Sequence, residues 1–126
     1  MRFIPSRVHG VADYASGLLL LVAPYLLGFA DGGPAQYVPM LLGAATIGMS
    51  LFTDYELALK RLIPLPLHLT VDVATGVMLA ASPWVFGFAD RVYWPHLVVG
   101  LAEIGAGLLS RTVPETGPAI VREAAS

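Results

Sequence analysis

Two histidine–aspartate pairs recur at the same spacing, His9 with Asp13 and His68 with Asp72. Residues four apart lie one above the other on a helix face, so each imidazole can meet its carboxylate across a single turn. Such pairs can do three kinds of work. They can tie helices together by charge-assisted hydrogen bonds, pass protons between a group that titrates near neutrality and an acid, or offer nitrogen and oxygen to a metal ion. Two His and two Asp would complete a ligand set if the pairs met, but spacing along one helix does not fix the distance to another. The expected role is therefore a pair of polar clamps, with no metal, no cofactor and no catalytic residue assigned.

A fifth candidate is Glu103, in Gly-Leu-Ala-Glu-Ile-Gly-Ala-Gly (100–107). A carboxylate in the middle of an apolar stretch is a functional hypothesis wherever the solvent is lipid. The structural alternative is a protonated acid hydrogen-bonded to a neighbouring helix, for instance to Thr46 or Ser50. His96, near the start of the same stretch, is expected to face an interface rather than a metal. His9, Asp13, His68, Asp72 and Glu103 together form the candidate polar site.

The elements that must position these residues are duplicated. Sliding the chain by 59 residues superposes Arg2, Ile4, Pro5, His9, Asp13, Ala15, Gly17, Leu20, Pro24, Gly28, Phe29, Ala30 and Asp31 on Arg61, Ile63, Pro64, His68, Asp72, Ala74, Gly76, Leu79, Pro83, Gly87, Phe88, Ala89 and Asp90. That is 13 identities over residues 2–31 without a gap. After Asp31 the offset becomes 57, which pairs Tyr37 with Trp94, Gly43 with Gly100, Gly48 with Gly105 and Leu51 with Leu108. Glu103 then falls opposite Thr46 and breaks the symmetry. The expected units are a two-helix repeat at 1–56, a second at 57–113 and a polar, poorly ordered cytoplasmic tail at 114–126.

Each copy holds two apolar stretches, placed near 9–30, 36–53, 68–89 and 94–111, each about the ~20 residues that cross a bilayer core. Only 13% of residues are charged and mean hydropathy is +0.72, against about 25% charge in ordinary soluble domains. Lipid is the better solvent for such a chain. Arg2, Arg7, Lys60, Arg61, Arg111 and Arg122 fall on one side of the expected spans and Arg91 alone on the other. The positive-inside rule then puts both termini and the middle loop in the cytoplasm. Tyr25, Tyr37, Trp84, Tyr93 and Trp94 sit where an outer aromatic belt would lie. Segment 54–66 mixes apolar and charged residues and predicts a short interfacial helix that ends before Pro64. Ala44-x-x-x-Gly48 and Ala102-x-x-x-Ala106 predict close helix packing within the bundle. The fold class is all-α: a four-helix transmembrane bundle built from two tandem parallel repeats.

The first apolar stretch of each copy carries a proline about two turns before its end: Pro24 in Ala-Pro-Tyr and Pro83 in Ser-Pro-Trp. Each removes a backbone donor and frees the carbonyl four residues back, at Leu20 and Leu79. A Ser-Pro-Trp motif repeated in tandem resembles the SPW-repeat family of bacterial membrane proteins, over roughly residues 2–112. Ser82, Pro83 and Trp84 match it strictly; the first copy has Ala23, Pro24 and Tyr25 and lacks the hydroxyl. The resemblance implies an integral membrane protein of the plasma membrane and brings no activity or catalytic residue with it.

The chain has no Cys, which excludes disulfides and thiolate chemistry. A net charge of −2 gives no ground for a nucleic-acid partner. The expected function is a structural or accessory membrane protein, with the bilayer and either a second copy or other membrane subunits as partners. A transporter or channel for protons or a small solute, using Glu103 and the His–Asp pairs, is the alternative. An enzyme acting on lipid or quinone is the third reading.

Overall fold

Prolines open the helices and glycines close two of them. A computed structural model describes residues 1–114; the rest of the tail lies outside the described residues. It contains α1 (Ser6–Leu26), α2 (Pro34–Leu51), α3 (Leu65–Val85) and α4 (Trp94–Leu109). Pro5 and Pro64 stand at the N-caps of α1 and α3, while Pro34 and Pro95 occupy the first positions of α2 and α4. The missing N–H costs nothing there, because the first turn has no intrahelical acceptor for it. At the other ends, Gly28 and Gly87 take φ of 77° and 75°. That left-handed geometry lets Phe29 N donate to Pro24 O at 2.9 Å and Phe88 N to Pro83 O at 2.8 Å, which stops the helix. Hence α1 and α3 end at Leu26 and Val85, short of the expected 30 and 89. Phe29 and Phe88 then turn back into a core cluster with Ala23 and Ala35.

The interfacial helix expected at 54–66 does not form. Its backbone donors find acceptors across the loop and in the end of α2 instead. Asp54 N donates to Ile63 O at 2.7 Å, Ile63 N to Phe52 O at 2.7 Å and Lys60 N to Leu51 O at 3.0 Å. The loop closes on itself and drives Tyr55 into the protein, fully buried against Leu65 and Leu69. A matching closure occurs at the start of the chain. Phe3 N and Ile4 N donate to Leu109 O, and Arg111 N donates to Ile4 O at 2.9 Å.

Two antiparallel hairpins make the bundle, α1 with α2 and α3 with α4. Glycine sets how close they come. A methyl group on Gly43 would lie 2.6 Å from Gly17 O, and one on Gly100 would lie 2.6 Å from both Gly76 O and Ala80 N. Both crossings are backbone on backbone, as small residues allow in helical membrane proteins. The small-residue pair expected to do this, Ala44 and Gly48, does not: Ala44 is exposed and nothing approaches Gly48 within 4 Å. Ala102 and Ala106 instead line a cavity between α1 and α4.

The distribution of side chains is inverted relative to a water-soluble bundle. Among the described residues, twelve polar or charged side chains are buried beside ten hydrophobic ones and five prolines. Leu18, Leu41, Val77, Met78, Val98 and Leu101 are meanwhile more than half exposed. Exposed apolar side chains in such number are of the kind that lipid or protein covers. By length and composition α3 can cross a membrane; α4 is apolar but shorter. In α1 and α2 inward polar residues such as His9, Asp13, Gln36, Thr46 and Ser50 dilute the apolar character.

The glycine contacts separate two otherwise similar substitutions. Gly100→Ala has to displace backbone and is expected to lower stability by about 1–3 kcal/mol. Gly105→Ala meets nothing within 4 Å and is expected to hold or raise stability, by up to about 1 kcal/mol. Thermal unfolding of the two variants in detergent measures the difference.

Candidate functional site

The first turns of α1 and α3 face each other, and there the two His–Asp pairs meet. Each imidazole reaches across to the carboxylate on the other helix. His9 Nε2 lies 2.7 Å from Asp72 Oδ2 and 3.2 Å from Asp13 Oδ1. His68 Nε2 lies 2.8 Å from Asp13 Oδ2 and 3.1 Å from Asp72 Oδ2. The shorter contact is the crossed one in both cases, so the pairs form a closed ring rather than two separate clamps. All four residues are buried. The two rings meet edge to face, with centroids 5.7 Å apart and planes at 80°.

The far nitrogens of both rings are held as well. His68 Nδ1 lies 2.6 Å from Thr53 Oγ1, which itself donates to Met49 O at 2.8 Å. Thr53 therefore accepts from His68 Nδ1–H. His9 Nδ1 has the equivalent contact, 2.6 Å to Ser110 Oγ. With the Nδ1 proton so placed, Nε2 of a neutral ring would point a bare lone pair at two carboxylates. Something positive has to lie between them, either a second proton on the ring or a cation. Tyr55 adds a donor to the ring, its hydroxyl 3.1 Å from Asp13 Oδ2. Burial and the neighbouring Asp13 raise the pKa of this phenol above its ordinary value, so it stays a donor.

Glu103 is brought beside the ring but not bonded to it. Both of its carboxylate oxygens are buried without a hydrogen-bond partner, so the expected bond from Thr46 or Ser50 is not made. Instead Glu103 shares a cavity of about 80 Å³ with Asp13, Asp72, Ser16 and Thr46. Val99 lines this cavity and also a second one of about 280 Å³ toward the other end of α4, among Leu20, Phe29, Pro39 and His96. His96 does not face an interface. It is buried, donates from Nε2 to Ala35 O at 2.8 Å and packs between Phe29 and Phe88. The glycine caps of α1 and α3 bring both Phe side chains inward around it.

A family model for the SPW repeat domain matches residues 7–110, from the first turn of α1 to the end of α4. The chain belongs to the SPW repeat domain family. No curated protein and no solved structure matches it. In this SPW repeat domain the motif has a readable physical logic. Pro83 leaves Leu79 O without its helical donor, and Ser82 Oγ donates to that carbonyl at 2.7 Å. The motif thus carries its own repair. Trp84 is exposed and stacks obliquely on Tyr93 at 5.9 Å; its counterpart Tyr25 is exposed and accepts from Gln36 Nε2 at 3.1 Å. At the same end of the domain, Asp31 pairs with Arg91. The Gly33 amide and then Arg91 hold its carboxyl below the usual range.

Three residues of the site escaped the sequence: Thr53, Ser110 and Tyr55. The first two carried a signal, because the 57-residue offset that pairs Leu51 with Leu108 also pairs the hydroxyls of Thr53 and Ser110. Tyr55 carried none, since it arrives through the folding of the loop.

Two substitutions probe this arrangement. Thr53→Val strands the buried Nδ1–H of His68 and is expected to cost about 1–3 kcal/mol. Asp13→Asn breaks the ring from one side and is expected to cost about 3–5 kcal/mol. Both are read as lowered unfolding midpoints of the full chain in detergent.

Proposed function

We propose that this SPW repeat protein is a small multi-pass membrane protein with a structural or accessory role. The observation that carries the reading is the inverted bundle, in which buried His, Asp, Thr and Ser side chains bond one another while Leu, Val and Met face outward. Helices of 16–21 residues rise about 24–32 Å, comparable to the ~30 Å hydrocarbon layer. All four helices cross the plasma membrane in this reading, as two repeats at 1–56 and 57–113. Both termini and the loop holding Lys60 and Arg61 are cytoplasmic. The apolar exterior suits lipid, a second copy or the subunits of a larger membrane complex.

A second reading, conduction of protons or a small solute, is favoured by Glu103. Its unpartnered carboxylate and the two Asp share one cavity. Against it, the polar lining stops at Val99, and the cavity beyond is lined by apolar side chains and His96. That larger cavity offers few converging polar groups to a lipid- or quinone-acting enzyme.

Two measurements test the reading. The chain has no Cys, so Gly32→Cys and Lys60→Cys can be labelled singly with a membrane-impermeant maleimide in intact cells. Labelling of Gly32→Cys alone is expected; labelling of Lys60→Cys from outside contradicts the topology. In proteoliposomes, wild type and Glu103→Gln are expected to show the same background proton flux. A flux carried by wild type and lost in a folded Glu103→Gln would make conduction the function.

A further inference from the structure

We propose that His9, Asp13, His68 and Asp72 bind a divalent transition-metal ion, with Zn²⁺ the best fit to their donor set. The inference is independent of how often the chain crosses a membrane. One ligand atom from each residue can be chosen so that all four lie within 4.8 Å of one another. The contacts around the ring are 2.7, 3.1, 2.8 and 3.2 Å, with Asp72 using one oxygen for both histidines and Asp13 using Oδ2 toward His68 and Oδ1 toward His9. In a tetrahedral zinc site with bonds of about 2.0 Å, neighbouring donors stand about 3.3 Å apart. The His–Asp contacts would have to open by a few tenths of an ångström, and the two diagonals, now within 4.8 Å, would have to settle at the same length.

A central divalent cation replaces two ring protons without changing the net charge of the site. Each Nε2 faces two carboxylate oxygens, the crossed one at 2.7 or 2.8 Å and the other at 3.2 or 3.1 Å. A cation at the centre satisfies both nitrogens and both carboxylates at once. Histidines that bind metals through one nitrogen almost always donate from the other. Thr53 accepts from His68 Nδ1–H, and Ser110 stands at the same distance from His9 Nδ1. Tyr55 anchors one carboxylate from outside in the same way. Two carboxylates and a divalent ion are together neutral, which is what a buried site requires.

Glu103 supplies an independent observation. Its two buried, unpartnered oxygens face a cavity that Asp13 and Asp72 also line. A buried carboxylate without a donor calls for a positive partner or a water held by one. The cavity, about 80 Å³, has room for a water, which needs only ~10–15 Å³ of such space. In this site the four ring residues are the direct ligands, and Glu103 accepts from a water in the cavity that it shares with Asp13 and Asp72.

The test uses the full chain purified in detergent, stripped with EDTA and titrated with CoCl₂ and ZnCl₂. Wild type is expected to take up about one ion per chain. Co²⁺ should give the intense visible bands of a tetrahedral nitrogen–oxygen site, lost on adding Zn²⁺, and Zn²⁺ should raise the melting midpoint. His68→Gln and Asp72→Asn are expected to lose the bands and the melting shift, and Glu103→Gln to keep the bands with weaker binding. Wild type that shows neither bands nor stoichiometric metal overturns the site, whether or not the variants fold. So does a folded His68→Gln that binds Co²⁺ as wild type does.

Discussion

The fold depends on a ring of two imidazoles and two carboxylates closed between α1 and α3. Within each hairpin, glycines bring backbones into contact and packing is close. Between the hairpins it is sparser, with α2 against α3 and α1 only lightly against α4. The ring spans that gap. Its members are buried, and the crossed contacts of 2.7 and 2.8 Å join residues 63 and 55 positions apart. A buried ionic network adds less net stability than its contacts suggest, because every charge was first taken from water. What it contributes is register, since only one alignment of α1 on α3 leaves no member unpaired.

Around this ring the two halves solve the same problems with equivalent residues. A proline starts the helix, a second removes a backbone donor near its end, and a left-handed glycine ends it and turns a phenylalanine inward. A hydroxyl at the end of the neighbouring helix holds the outer nitrogen of each histidine. The halves differ at Ser82, which bonds the carbonyl that Pro83 leaves free, where the first half has Ala23. They differ again at Glu103, where the first half has Thr46. Asymmetry therefore gathers on α3 and α4, beside a ring that is itself nearly symmetric.

Much of this was legible in the sequence. The duplication located four helices, and the i,i+4 spacing put each His and Asp on one face. What spacing could not supply was the distance between α1 and α3, so the pairs read as separate clamps until the crossed contacts joined them. The segment after α2 was misread because its mixed composition suits an interfacial helix. The outcome was decided by backbone bonds to Leu51, Phe52 and Ile63, made across the loop and invisible to local pattern. His96 was misjudged for a related reason. Its burial follows from two glycine caps, one of them in the other repeat, that set the direction of Phe29 and Phe88.

The claim that the crossed ring fixes the two halves together is tested most directly by a double-mutant cycle between His9 and Asp72. Unfolding free energies of the full chain in detergent are compared for His9→Gln, Asp72→Asn and the pair. Direct coupling across the two helices predicts an interaction energy of about 0.5–3 kcal/mol. Losses that simply add, to within about 0.5 kcal/mol, would contradict it and leave the halves joined by packing alone.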